Sequence, residues 1–228
     1  MLKKSILTIA RIMLILSIPV FLLLTNLYIF MSPAFLHYEY GKADFPYSPG
    51  FTDEERLVAA KKALTYLRSN AGIELLGDLQ GEEGPLFGER ELVHMADVKV
   101  LTIQAFLTHG LAALVIAFSL GVLLVIRDSP TQVSISLVQG SLLTIALLIA
   151  VVALVYLNFD SFFTGFHLTF FEGDSWIFDV SDTLIRLFPT RFWFDAATAW
   201  GLLTLGEAVA LGVVALLCRR LTYSRAAR

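Results

Sequence analysis

The side chains best suited to move a proton near neutral pH are the four histidines, and two of them stand in unusual strings. In "ERELVHMADVKVL" (89–101), Arg90 lies four residues before His94 and Asp97 three after it. On a helix all three share one face. Asp97 at that spacing is expected to accept a hydrogen bond from His94 and fix its tautomer, which leaves a base usable at neutral pH. His167 stands in "GFHLTFFEGDSWIFD" (165–179), among phenylalanines and Trp176 and ahead of a run of acids. Asp160, Asp174, Asp179 and Asp182 offer three uses: to hold His167, to cap short helices, or to pair with Arg186 and Arg191. Either arginine could instead contact the polar backbone of a substrate. The sequence leaves these alternatives open.

The elements that must carry the two histidines follow from composition. Hydrophobic residues make up 57% of the 228, charged residues 16%, and mean hydropathy is +0.73, values that belong to a membrane protein. Four apolar runs, at about 10–31, 100–126, 133–157 and 196–218, approach or exceed the roughly 20 residues a helix needs to cross a hydrocarbon core. The expected fold is all-α: a polytopic bundle of four transmembrane helices with a cap of helices and loops outside, the chain 1–228 forming one integral membrane domain.

Four spans place both termini on one side. Lys3 and Lys4 precede the first span and Arg11 stands at its start, Arg127 lies between the second and third, and Arg219, Arg220, Arg225 and Arg228 follow the fourth. These segments are expected to face the cytoplasm across the inner cell membrane. Segments 32–99 and 158–195 are then extracytoplasmic, and hold 18 of the 20 acidic residues against 9 basic ones. Nothing in this distribution points to nucleic acid. The first apolar run is longer than a signal-peptide core, so it reads as an uncleaved anchor. The single cysteine, Cys218, falls at the cytoplasmic end of the last span, so no disulfide within the chain and no external thiol nucleophile is available.

Within 32–99, Thr52 three residues before Glu55 has the spacing of a capping box. Leu57, Ala60, Leu64 and Leu67 recur at helical spacing over about five turns ending near Gly72, a stripe that must rest on the bilayer or on the other outer segment. The glycines between 72 and 88 suggest a flexible connector. From Glu89 the chain reads as helix running unbroken into the second span. Segment 158–195, rich in Phe162, Phe163, Phe166, Phe170, Phe171, Trp176 and Phe178, has the composition of the headgroup region, where aromatic rings are enriched. His37 and His109 read as structural, the latter suited to helix–helix hydrogen bonding. Glu207, in mid-span, needs a partner or a proton.

"ERELVHMADVKVL" and "FDSFFTGFHLTFFEGDSWIFDVSDTLIRLFPTRFW" (159–193) together resemble the bacterial lipoprotein intramolecular transacylases, as does the four-span plan. The resemblance extends in order and spacing over nearly the whole chain, and its specific part is the His-x-x-Asp-Val-Lys and Phe-His-x-x-Phe-Phe…Asp-x-Trp-x-Phe-Asp strings. It implies an acyltransferase without cofactor or metal. Such an enzyme moves the sn-2 acyl chain of a diacylated lipoprotein from its S-diacylglyceryl group to the α-amine of the N-terminal cysteine, in contact with membrane lipid. It also implies that His94 and His167 are the catalytic pair; Asp97, Asp174, Trp176, Arg90 and Arg191 are expected, from their spacing around these histidines, to support or orient them. The sequence departs from the family pattern at Val180-Ser181, where a proline is common, and at Gly173, where asparagine is more usual. Two other functions compete. A metal-dependent membrane hydrolase would use both histidines and an aspartate as ligands, though the His-Glu-x-x-His spacing is lacking. A non-catalytic scaffold would need neither histidine.

Overall fold

The computed structural model describes residues 2–81, 84–125 and 130–226. Arg127 and Arg228, used above to orient the chain, lie outside them. In chain order the elements are α1 (Leu2–Thr25), α2 (Leu27–Phe30), α3 (Pro33–Tyr40), α4 (Asp53–Arg68), α5 (Glu74–Gly77), a two-residue antiparallel pair β1 (Gln80–Gly81) and β2 (Gly84–Pro85), α6 (Glu89–Val125), α7 (Pro130–Leu157), α8 (Phe159–Phe170), α9 (Thr183–Leu187) and α10 (Thr190–Ala226). Four helical stretches, Leu2–Phe30, Glu89–Val125, Thr131–Leu157 and Thr190–Thr222, are long and apolar enough to cross a membrane. The fold is therefore the all-α polytopic architecture that the apolar runs imply, with helices that extend beyond several of those runs.

The chain divides into two compact units. One is built from α1 and those parts of α6, α7 and α10 that fall within 106–153 and from 199 onward. Its core is made by Ala10, Leu14, Ile18, Leu22, Leu123 and Ala208. Polarity runs opposite to that of a soluble bundle: Leu107, Leu111, Leu114 and Phe118 stand exposed along one face of α6, while Ser136, Ser141 and Thr144 are buried. These three hydroxyls donate to the carbonyls four residues back, at 2.9 Å each, so burying them leaves no donor unmet. A Cβ on Gly140 would come within 2.4 Å of Ile18 Cδ1, so α1 and α7 pack there only because that side chain is missing.

The other unit comprises 27–105 and 154–198. Thr52 caps α4 through the expected box: its hydroxyl accepts from Glu55 N at 3.2 Å, and Glu55 Oε2 accepts from Thr52 N at 2.9 Å. The α4 stripe rests on protein. Ala59, Ala63 and Tyr66 pack with Leu76, Phe87, Met95, Leu184 and Leu187, while Ala60 and Leu64 join Phe35, Leu36, Phe192 and Ala196. Segment 72–88, expected to be a flexible connector, instead contains α5 and the β pair and buries Leu76 and Phe87 to 0% and 2% exposure. Two large apolar side chains anchored in the core override the local effect of the glycines. A chain of ion pairs closes this unit. Lys42 bridges the fully buried Glu39 (2.6 Å) and Asp195 (2.9 Å), and Arg191 bridges Asp195 (2.9 Å) and Asp44 (2.8 Å).

Candidate active site

His94 is placed by the start of α6. Glu91, one turn earlier and 4% exposed, accepts from Gly88 N at 2.7 Å with Oε2 and from Leu184 N at 2.6 Å with Oε1. A single carboxylate thus caps the first turn of α6 and ties it to the first turn of α9, and Thr183 Oγ1 adds a bond to Leu86 O. Met95, next to His94, is buried in the core against Ala59 and Ala63. The face carrying residues 91, 94 and 95 is fixed in rotation as a result.

His167 lies near the end of α8, whose N-cap is Asn158, its side chain accepting from Ser161 N at 2.9 Å. The ring bonds back along its own helix: Nδ1 lies 2.8 Å from Phe163 O. A carbonyl only accepts, so Nδ1 carries the hydrogen and, in the neutral ring, Nε2 carries the lone pair. The helix ends at Phe171, which turns extended and is buried. A loop to α9 follows, turning at Gly173 (φ +70°) and through a bond from Ile177 N to Asp174 O (3.0 Å). Arg90 Nη1 donates to Ile177 O at 3.0 Å and pins that loop to α6.

These elements bring the two imidazoles together. Their ring centroids are 5.9 Å apart and their planes 25° from parallel. Phe171 touches both, at 4.9 Å from His94 and 5.4 Å from His167. Phe178 meets His94 edge-on at 5.3 Å, Phe163 lies 4.2 Å from His167 and Trp176 5.0 Å. Both histidines are more than nine-tenths buried, 7% and 8% exposed. Burial penalises the imidazolium and lowers the pKa of His167 below 6.5, against a smaller opposite pull from the Phe163 carbonyl. Within this aromatic cluster, two buried nitrogens find no hydrogen-bond partner among the described residues: His94 Nδ1 and Trp176 Nε1. An apolar, aromatic-walled site holding two imidazoles and an unsatisfied indole N–H is equipped to shuttle a proton and to donate to an oxygen gaining charge.

The supporting residues divide. Arg90 and Trp176 are at the site, one through the loop backbone and one through ring contact. Asp97 does not hold His94. It is exposed and accepts from Ser175 Oγ at 3.4 Å, while the His94 ring is turned into the aromatic cluster, so a shared helix face did not bring carboxylate and imidazole together. Asp97 therefore serves the loop from the other side. Asp174 contributes its backbone carbonyl to the turn. Arg191 is committed to Asp44 and Asp195, away from substrate duty. Asp182 accepts from Asp179 N at 2.8 Å, and Arg186 bonds Pro49 O.

His109 Nε2 pairs with Thr25 Oγ1 at 3.0 Å and stacks on Phe21, a helix–helix contact as its position implies. Glu207 has its partner in Asn26 Nδ2, 3.0 Å away, which also donates to Thr204 Oγ1. Sequence reasoning passed over Glu91 as a site-building residue. The available signal was an acid three residues past Gly88, at the N3 spacing that caps a helix.

A family model described as lipoprotein intramolecular transacylase Lit matches residues 10–193. A relative from Aquifex aeolicus (strain VF5), described as an uncharacterized protein, is 33% identical over 166 residues, 72% of this chain and 73% of that one. Among solved structures, the membrane integral lipoprotein intramolecular transacylase Lit from Bacillus cereus matches with TM-score 0.78 at 20% identity over 98% of both chains. The same protein with a histidine-to-alanine substitution matches with TM-score 0.74 at 20% identity, over 98% of this chain and 96% of that one. Since the family model covers most of the sequence, the chain belongs to the lipoprotein intramolecular transacylase family and is an acyltransferase of the membrane.

Proposed function

We propose that this enzyme moves the sn-2 acyl chain of a diacylated lipoprotein onto the α-amine of its N-terminal cysteine, with His94 and His167 as catalytic residues. The observation that carries the assignment is the stacking of two buried imidazoles, drawn from segments more than seventy residues apart, with His167 Nε2 left as a lone pair. The neutral amine attacks the ester carbonyl and the carbonyl oxygen becomes an oxyanion. His167 Nε2 takes the proton from the attacking nitrogen. As the tetrahedral intermediate collapses, the carbon–oxygen bond to glycerol breaks and the same proton passes to the glycerol oxygen. One C–N bond and one O–H bond replace one C–O bond and one N–H bond, so no water and no external acid are consumed. His94 polarises the carbonyl.

The amine, with a pKa of about 7.7–8, and a histidine below 6.5 are close enough for this transfer without further tuning. Donor and acceptor belong to one substrate, so much of the rate comes from orientation, where effective molarities reach about 10⁵ M or more. The site works at the extracytoplasmic face among lipid headgroups, and both termini are cytoplasmic, which the basic residues Lys3, Lys4, Arg11, Arg219 and Arg220 support. A metal-dependent hydrolase draws less support: among the described residues no three histidine, cysteine or acidic side chains converge as ligands.

The test is mass spectrometry of the N-terminal lipopeptide of a lipoprotein made in a cell lacking other N-acylating enzymes. Wild type is expected to yield the N-acyl, S-monoacylglyceryl form, while His94→Ala and His167→Ala leave the diacylglyceryl form. Full conversion by both variants would refute the assignment.

A further inference from the structure

We infer that Trp176 is a third catalytic residue, its indole Nε1–H donating to the ester carbonyl oxygen as that oxygen takes on charge. The inference rests on the acyl-transfer reading above and adds to it the group that meets the oxyanion. An indole N–H only donates, and when buried it ordinarily finds an acceptor. Trp200 does so in this same chain, donating to Leu23 O at 2.7 Å. Trp176 does not: its Nε1 is shielded from solvent and meets no acceptor among the described residues.

Leaving such a donor unmet costs about 1–3 kcal/mol, a penalty that packing would remove by a small ring rotation unless the ring is held. It is held. One face of its surroundings is the His167 ring at 5.0 Å, and its loop is pinned by Arg90 to Ile177 O, by Asp97 to Ser175, and by the Asp174–Ile177 turn. The donor is thus fixed in advance beside the base. An amine whose proton goes to His167 necessarily places the carbonyl it attacks within a few ångströms of that ring.

Nothing among the described residues competes for the indole hydrogen, so the acceptor is the substrate's. A donor fixed before the reaction contributes most to the state in which charge has developed. His94 Nδ1, also buried and unmet, lies against the same aromatic wall and supplies the companion donor when it carries the hydrogen. The supporting roles of Arg90 and Asp97 acquire a common purpose: both hold the Trp176 loop.

The experiment compares purified wild type with Trp176→Phe and with 3-benzothienylalanine at position 176, which keeps the bicyclic shape and replaces N–H by sulfur. The substrate is a synthetic diacylated lipopeptide in mixed micelles. Both variants are expected to lose about 10²–10³ in kcat with KM changed by less than about threefold, the pattern of an interaction made in the transition state. The isostere is expected to keep the wild-type Tm. A benzothienyl enzyme that turns over at the wild-type kcat, or whose loss lies wholly in KM, overturns the role of Trp176 while acyl transfer stands. If wild type fails to rearrange the lipopeptide, both fall together.

Discussion

Each of the two units contains a histidine and a tryptophan removed at least in part from solvent, and they differ in what the ring nitrogens do. In the unit of apolar helices, His109 bonds Thr25 and Trp200 bonds the Leu23 carbonyl. In the other unit, His94 and Trp176 each bury a nitrogen with no partner among the described residues, beside a His167 whose bond to Phe163 settles its tautomer. The residue types are the same, though His94 is buried and His109 only half-buried. For these rings, the proposed division between a structural group and a catalytic one follows whether the protein closes its hydrogen bond, because a ring already satisfied has nothing to offer a substrate.

Exchanging the histidines breaks this comparison most directly. His94→Ala or His167→Ala is expected to lower turnover by about 10²–10⁴, the range of a lost acid–base group. His109→Ala is expected to leave kcat within a fewfold and to reduce stability by about 1–3 kcal/mol. Single-turnover rates and thermal melts of the three variants check both halves. Loss of turnover at His109 with an unchanged melt would dissolve the distinction.

The pH profile tests the same contrast without mutation. Burial holds the pKa of His167 below 6.5, so its lone pair persists as pH falls through 6.5 and is lost only lower. The sign for stability agrees: the unfolded chain takes up this proton first, so the contribution of neutral His167 is present above 6.5 and lost as pH drops toward the folded value. With a substrate amine near 8, log(kcat/KM) is expected to fall with slope about 1 below pH 8 and to steepen toward 2 only beneath 6.5. Steepening above pH 7 would mean a raised histidine and would overturn the effect ascribed here to burial.

Carboxylates offer a second pairing of the two regions. Glu91 accepts two backbone N–H groups, from Gly88 and Leu184, and needs both oxygens. Glutamine supplies one acceptor, so Glu91→Gln leaves one backbone donor facing an amide NH₂ and is expected to destabilise by about 1–3 kcal/mol and slow turnover as the α6–α9 junction loosens. Glu207 accepts from Asn26 through one oxygen, a bond that glutamine keeps. Glu207→Gln is expected to melt within about 0.5 kcal/mol of wild type and to turn over normally, as substitutions that keep a site's bonds do. Were Glu207→Gln inactive at normal protein levels, a proton-sharing role would replace the structural one.

Much of this was legible in the chain because it depends on period and composition. Four apolar runs define four helices, Thr52 and Glu55 announce a capping box, and the aromatic string around His167 marks where its wall comes from. Partnerships across long separations were not legible. Asp97 shares a helix with His94 and does not touch it, because the His94 rotamer follows Phe171 and Phe178, more than seventy residues on. Arg191 looked available until Asp44 and Asp195 were placed beside it. The glycine-rich 72–88 stretch read as mobile because local propensity cannot register that Leu76 and Phe87 find a core.

Gly173 is where sequence and structure sharpen each other at the smallest scale. Its φ of +70° lies in the left-handed region, which glycine enters freely and asparagine at modest cost, whereas other residues meet a clash between Cβ and the backbone. The asparagine that the family resemblance leads one to expect and the glycine found here thus satisfy one backbone requirement. No atom lies within 4 Å of a Cβ built at this position, so conformation alone sets the effect of substitution. Gly173→Asn is expected to alter stability by less than about 0.5 kcal/mol, and Gly173→Ala to cost about 1–2 kcal/mol. Because this turn leads into Ser175, Trp176 and Ile177, the alanine variant is also expected to lose turnover through kcat, with the asparagine variant near wild type. Equal rates for the two would show that the loop holds Trp176 whatever the turn at 173, and that Arg90 and Asp97 suffice.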